Sequence, residues 1–358
     1  MDQKRIEELT AESIELLQSM IETPSVSRDE KAVADLLEQR LTMWGMSVNR
    51  KGNNVWIKEL SCHEGKPVIL LNSHIDTVKP AAGYTRDPYK ATIEDGRLYG
   101  LGSNDAGGPL VSLLATYRYL TESEAERPYS LVFAASCEEE VSGRNGLESI
   151  VPELGMVSLA VVGEPTLMQP AVAEKGLMVL DCTAHGRSGH AARNEGINAI
   201  YLAMKDIEWF SSHTFDRVSQ FLGPVKTTVT QINAGTQHNV VPDTCTFVVD
   251  VRVNELYDNV ELLEEIKRTV GCEVKERSTR LRSSAIAMTH PIVQRAMEMG
   301  LKPFGSPTMS DQALMPFTSI KIGPGDSARS HTADEYIGLD EIAHGVKTYI
   351  GLLEGLRI

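Results

Sequence analysis

The stretch KPVILLNSHIDTVKP, Lys66 to Pro80, decides how the rest of the chain is read. Its apolar run is unbroken, too short for a helix, and ends in polar residues. That is the pattern of a strand buried on both faces of a parallel sheet. A histidine and an aspartate then stand two residues apart, just before a proline turn. YSLVFAASCEEE and SLAVVGEP repeat the design, each an apolar strand followed by acidic residues. Helical patterns at Leu110–Leu120 and Asn145–Ile150 lie between them, so the order strand, helix, strand, helix, strand predicts an α/β lobe.

Upstream, MDQKRIEELTAESIELLQSMIE sets Ile6, Leu9, Ile14, Leu17 and Ile21 at helical spacing among charges, which predicts an amphipathic surface helix and leaves no room for a signal-peptide core. Ser27 and Glu30 stand at capping-box spacing ahead of Val33, Leu36, Leu37 and Leu41, which predicts a second helix. Downstream of Lys175 the texture changes. GLMVLDCTAHG, TTVTQINAG and CTFVVDVRV alternate apolar and polar residues, with helical patterns at Ala199–Phe210 and Val260–Val270, as in a smaller α+β lobe with an antiparallel sheet. After Arg282 the first texture returns in HPIVQRAMEMG, the strand TSIKIGP and a helix from Leu339. The 358 residues exceed what one core usually holds. The expected architecture is a three-layer α/β lobe with a mixed, mainly parallel sheet, residues 1–174 and 284–358, interrupted by an inserted α+β lobe, residues 175–283.

A net charge of -14 argues against a nucleic-acid or anionic-membrane partner. No segment has the roughly 18 consecutive apolar residues of a membrane span. The five cysteines (Cys62, Cys137, Cys182, Cys245, Cys272) are scattered and never form Cys-x-x-Cys, so a reducing, cytoplasmic setting is expected.

Chemistry-bearing residues cluster at the expected strand ends: His74 and Asp76, Asp105 in GLGSNDAGG, Glu139 and Glu140 in CEEEVSGRNG, Glu164 in VVGEPT, and His331 in GPGDSARSHTADEY. In an open α/β sheet the carboxyl ends of the strands form the ligand crevice. Two imidazoles and several carboxylates there suit zinc, and without a cation so many like charges would raise one another's pKa. Asp76, two residues beyond His74 on an extended chain, is expected to accept the ring proton and fix the tautomer. Each piece alone has a bland reading. His-x-Asp arises by chance, three acids often make a solvated turn, and glycines permit tight turns. Their convergence in one lobe favours a metal site. A nucleotide-binding loop is disfavoured, because neither a P-loop nor Gly-x-Gly-x-x-Gly follows any strand.

Five motifs in this order, SHIDTV, GSNDAGG, EEEVSGRNG, VVGEPT and SHTADE, resemble the aminoacylase, carboxypeptidase and succinyl-diaminopimelate desuccinylase family of co-catalytic zinc amidohydrolases, over nearly the whole chain. The resemblance implies two zinc ions, with cobalt or manganese able to take the same ligands. His74 and Glu164 would bind one, Glu140 and His331 the other, and Asp105 would bridge them. Glu139 would be the general base, with Glu138 in the family's aspartate position. The inserted lobe would be a lid and dimerisation domain. There His190 in GRSGHAA, Asn239 in HNVVPD and Arg252 in DVRVNE would hold the substrate carboxylate or the oxyanion, with His190 reaching the partner's site in a homodimer. The family's aspartate is usually followed by x-Lys-Gly-Gly, whereas this chain reads Asp105-Ala106-Gly107-Gly108-Pro109.

The implied reaction is hydrolysis of the amide bond of a small N-acyl amino acid. The N-terminal helix pair and MSDQALMPF look most like the bacterial acetylornithine deacetylase branch, which points to N-acetylornithine, or to N-acetyl- or N-succinyl-citrulline or -ornithine, in arginine biosynthesis. Succinyl-diaminopimelate desuccinylase is the nearest alternative, then a dipeptidase or carboxypeptidase. A zinc-binding protein that has lost catalysis is disfavoured because Glu139 is retained.

Overall fold

The computed structural model describes residues 2–59, 65–123, 127–193 and 195–358. The chain divides into two compact units, Met1–Val172 with Ile286–Phe304 and Ser310–Ile358, and Ala173–Ala285 with Gly305–Met309.

The first unit is built on a mixed sheet in which Val48–Lys51, Asn54–Lys58, Ser130–Ser136, Val68–His74, Val157–Val162 and Ser319–Lys321 lie side by side. The first two of these five pairs are antiparallel and the other three are parallel. Ser130–Ser136 is buried along its whole length, as its unbroken apolar run requires when helices cover both faces. On one face Trp56, Leu70, Val132, Ala134 and Ala160 pack against Leu147, Ile150 and Leu154 of the helix Leu147–Leu154. The helix Gly108–Glu122, buried from Gly108 to Leu120, contacts the central strands and also the helices Gln3–Ile21 and Leu339–Leu353. Burying one such Leu or Phe side chain contributes about 1.5–3 kcal/mol.

Two local expectations give way to tertiary demands. The helix Lys31–Met43 starts without a side-chain cap. Ser27 instead donates its hydroxyl to Asp76 Oδ2 at 2.7 Å. Glu30 is wholly buried and accepts the main-chain N–H groups of Arg28 and Glu138 and the amide of Asn53. A charged acceptor in the interior makes a stronger partner than an exposed helix end. The helix expected at Asn145–Ile150 runs over Leu147–Leu154, because Asn145 is drawn into hydrogen bonds with Glu138.

The second unit holds a four-stranded antiparallel sheet in the order Lys226–Ala234, Thr244–Val253, Gly176–His185, Glu273–Glu276. Burial alternates along Gly176–His185, and the buried set (Met178, Leu180, Cys182) joins Phe247, Val249 and Val251 in a core with Phe210 and Ile266 of the helices Ala199–Ser212 and Asn259–Thr269. The two ends of the unit are hydrogen-bonded neighbours, with Ser284–Ala285 antiparallel to Ala173–Glu174. Gly305–Met309, assigned by sequence to the other lobe, also belongs here. Gly305 approaches so closely that a Cβ would lie 2.2 Å from the Phe221 carbonyl oxygen, and Ser306 accepts the Lys175 N–H.

Among the described residues no helix is long and apolar enough to cross a membrane. Cys137, Cys182, Cys245 and Cys272 are unpaired and buried, while Cys62 lies outside the described residues.

Candidate metal centre

Three parallel strands deliver most of the site. Val68–His74 lies between Ser130–Ser136 and Val157–Val162, with His74 opposite Ser136 and Asn72 opposite Val162. All three therefore end at one edge, where the chain continues into Asp76, into Glu138–Glu140 and into Glu164.

Asp105 reaches this edge by another route. It does not follow a strand of the central sheet, as the sequence reading has it, but sits in the tight turn Ser103–Gly107 that opens directly into the helix Gly108–Glu122. The preceding strand, Arg97–Tyr99, belongs to a separate three-stranded sheet, and Gly100 and Gly102 at positive φ reverse the chain. The Asp105–Ala106 peptide is cis. The lysine usual in the resembled family has no place in this turn, since a Cβ at Gly107 would meet the Gly102 carbonyl oxygen and Leu17 Cδ1 at 2.5 Å.

Two groups of donors result. His74, Asp105 and Glu164 form one, and Asp105, Glu140 and His331 the other, each with donor atoms within 4.8 Å of one another. Asp105 faces both: Oδ1 lies 3.2 Å from His74 Nε2 and Oδ2 lies 3.8 Å from His331 Nε2. His331 Nε2 is 2.9 Å from Glu140 Oε2, and His74 Nε2 is 3.8 Å from Glu164 Oε1. Glu139 stands beside the first group, its Oε2 3.9 Å from His74 Nε2. Glu138, left-handed at φ 56, turns away to Asn145, so only two of the three consecutive acids face the imidazoles.

The relation of His74 to Asp76 differs from expectation. The ring Nδ1 lies 2.9 Å from the main-chain carbonyl oxygen of Asp76, while the carboxylate is 3.6 Å away. The chain leaves strand geometry after His74, so the same-side relation of residues two apart is lost. The Asp76 carboxylate instead accepts the N–H groups of Glu139 at 3.0 Å and Glu140 at 3.1 Å, and thereby shapes the turn that carries both acids. A carbonyl only accepts, so Nδ1 of His74 carries a proton, and Nε2 is the nitrogen that faces Asp105 and Glu164 and is the one a cation would engage.

The electrostatics favour added positive charge. Burial opposes charging His74, yet its hydrogen bonds to Asp105 and Asp76 and the nearby Glu164 and Glu139 hold its pKa well above the ordinary value. The hydrogen bond that the His331 ring donates to Glu140 pushes its pKa up to about 9. Burial, then the neighbouring carboxylates, raises Glu139 and Glu164 well above the usual range. Asp105 stays low despite its burial because it is hydrogen-bonded to His74. Imidazole nitrogens and carboxylate oxygens gathered this closely are the donor set of a divalent cation such as zinc.

The remaining expected residues lie in the second unit. Gly189–His190 pairs with Val240–Val241, and Ala191 N–H donates to the Asn239 carbonyl, so His190 and Asn239 stand on adjacent segments, both exposed. Arg252 is already engaged by Asp250 at 2.9 and 3.1 Å. Sequence reasoning passed over Glu335, which is buried beneath the Asp105 turn. Its only signal was its place in SHTADE, four residues after His331.

The chain matches the model of peptidase family M20/M25/M40 over residues 70–355. It is 26% identical to a succinyl-diaminopimelate desuccinylase of Corynebacterium glutamicum, over 94% of each chain. In fold it resembles aminopeptidase PepT of Bacillus cereus (TM-score 0.77, 19% identity, 98% of each chain) and a dinuclear metal binding peptidase of Bacillus subtilis (TM-score 0.73, 16% identity, 98% of this chain and 100% of that one). With a family match that spans every residue of both donor groups, the chain belongs to peptidase family M20/M25/M40 and is a metal-dependent hydrolase.

Proposed function

We propose that the protein hydrolyses the amide bond of an N-acyl amino acid at a two-zinc centre, His74 and Glu164 holding one ion, Glu140 and His331 the other, and Asp105 both. The observation that carries this reading is the sharing of Asp105 between two donor groups, with the largely buried Glu139 carboxylate beside His74. Cations held there would supply Lewis-acid polarisation of the scissile carbonyl and acidification of water. Glu139 takes a proton from the attacking water and returns it to the departing amine, a task suited by a carboxyl whose pKa burial has raised. Asp76 keeps Glu139 and Glu140 apart in role by gripping their amides.

In the second unit, His190 and Asn239 are assigned to the oxyanion and Arg252 to a substrate carboxylate, which its planar fork matches in shape. A homodimer through this unit, with His190 serving the partner's site, is supported by the edge strand Lys226–Ala234 and by the exposure of Ile232, Tyr201 and Met204. The unpaired cysteines support a cytoplasmic setting.

Two substrate readings stand. The resemblance in MSDQALMPF favours N-acetylornithine or a related N-acyl ornithine or citrulline. The desuccinylase relative favours N-succinyl-diaminopimelate. Amine release is to be measured on N-acetyl and N-succinyl derivatives of ornithine, citrulline and diaminopimelate, with zinc added and Glu139→Gln as control. Release from one compound that disappears in the variant supports the reading and chooses the substrate. Silence on the whole panel from a protein that binds two metals would sink it.

A further inference from the structure

Glu335 is 2% exposed and has no part in the chemistry above. Its Oε1 accepts the N–H groups of Asn104 and Asp105, both at 2.9 Å, its Oε2 accepts that of Gly102 at 3.0 Å, and its carbonyl accepts that of Gly100 at 3.0 Å. Four amides of one turn thus converge on a single residue. Burying a carboxylate is costly unless donors offset the lost water, and here the donors come from the segment that presents Asp105. The placement also links the two donor groups. Residue 331 gives its imidazole to Glu140, while residue 335, at the other end of the same short segment, grips the main chain of the aspartate that both groups share.

The adjacent Asp334 offers an internal comparison. Its carboxylate accepts the N–H groups of Thr85 at 2.9 Å and Arg86 at 3.1 Å, so it fastens the same segment to a part of the chain that carries no donor.

We propose that Glu335 is a positioning residue: by clamping the amides of Gly102, Asn104 and Asp105, it aims one oxygen of Asp105 at each of two cations. The inference rests on the two-cation reading given above. A glutamine here would keep the shape but lose the charge, and would turn an amide NH2 toward at least one N–H donor, a repulsive contact.

The test is cobalt binding to the full chain, followed by calorimetry and by the visible absorption of the bound ion, for the wild type, Glu335→Gln, Glu335→Asp and Asp334→Asn. The wild type is expected to bind two cobalt ions. Glu335→Gln is expected to bind about 10- to 100-fold more weakly, the usual loss when an outer partner of a metal ligand is removed, with an altered spectrum. Glu335→Asp should fall between, and Asp334→Asn should match the wild type in both readouts. Wild-type affinity and spectrum in Glu335→Gln would overturn the proposal, as would an equal loss in Asp334→Asn, which would mark a general loosening of the segment. Should Glu335→Gln fail to fold, Glu335→Asp decides on the same terms. A wild type that binds no cobalt would overturn the two-cation reading and this inference with it, whereas two ions bound alike by wild type and variants would overturn this inference alone.

Discussion

The two units treat their polar residues differently. In the first, His74, Glu140 and Glu164 stand at or just beyond the ends of buried strands and Asp105 just ahead of a buried helix, and further buried groups grip the chain there: Asp76 holds the amides of Glu139 and Glu140, and Glu335 holds that of Asp105. In the second, His190 and Asn239 are exposed and Arg252 lies along a strand already paired with Asp250. The contrast teaches that the first unit fixes a geometry in advance, whereas the second presents His190 and Asn239 at its surface. Prepaid order of the first kind is what a reacting centre needs.

The sharpest way to break that contrast is Glu139→Gln. Loss of a general base should lower kcat by about 10²–10⁴ while metal content and melting temperature stay close to wild type, checked by amine release, metal analysis and calorimetry. A core change in the second unit should show the converse. Phe247, 2% exposed and edge-on to Phe210, should on Phe247→Ala lose about 3–5 kcal/mol of stability in denaturant unfolding, while cobalt still binds the first unit. His190→Ala tests the exposed group itself. If it steadies the oxyanion, kcat should fall by about 10²–10³ with no change in melting temperature, and an unchanged kcat would remove it from the chemistry. The smallest effect should come from Asp258→Ala. It deletes the cap of the helix Asn259–Thr269, which accepts the Val260 N–H at 2.8 Å, and should cost about 1 kcal/mol in the second unit without touching metal affinity.

Much of this was legible in the sequence, for a physical reason. Strands buried on both faces must be apolar throughout, so VILLNSH, SLVFAAS and SLAVV announce both themselves and the edge at which they stop. The polar residues just beyond, His74, Glu139, Glu140 and Glu164, could be read with them. What could not be read depended on partners distant in sequence. Ser27 and Glu30 have the spacing of a local cap, yet Asp76, Asn53 and Glu138 claim them. Asp105 reaches the site through a turn whose path is set by positive φ at Gly100 and Gly102 and by the carboxylate of Glu335, far along the chain. Gly305–Met309 joined the second unit because Gly305 packs against the Phe221 backbone, a contact without periodicity. Local pattern reports burial well and reports long-range hydrogen bonding hardly at all.

The pairing of Ser284–Ala285 with Ala173–Glu174 bears on how the chain folds. The parallel pairing of Val157–Val162 with Ser319–Lys321 has to wait until everything between them has been brought round, and the entropy of closing a loop rises with its length. An intervening unit that forms early, with its entrance and exit side by side, turns most of that loop into a short one. Formed in that order, the insertion would act as a staple in the folding of its host. By the same argument, lengthening the unit between those two adjacent ends would leave the loop that the first unit's sheet must close unchanged.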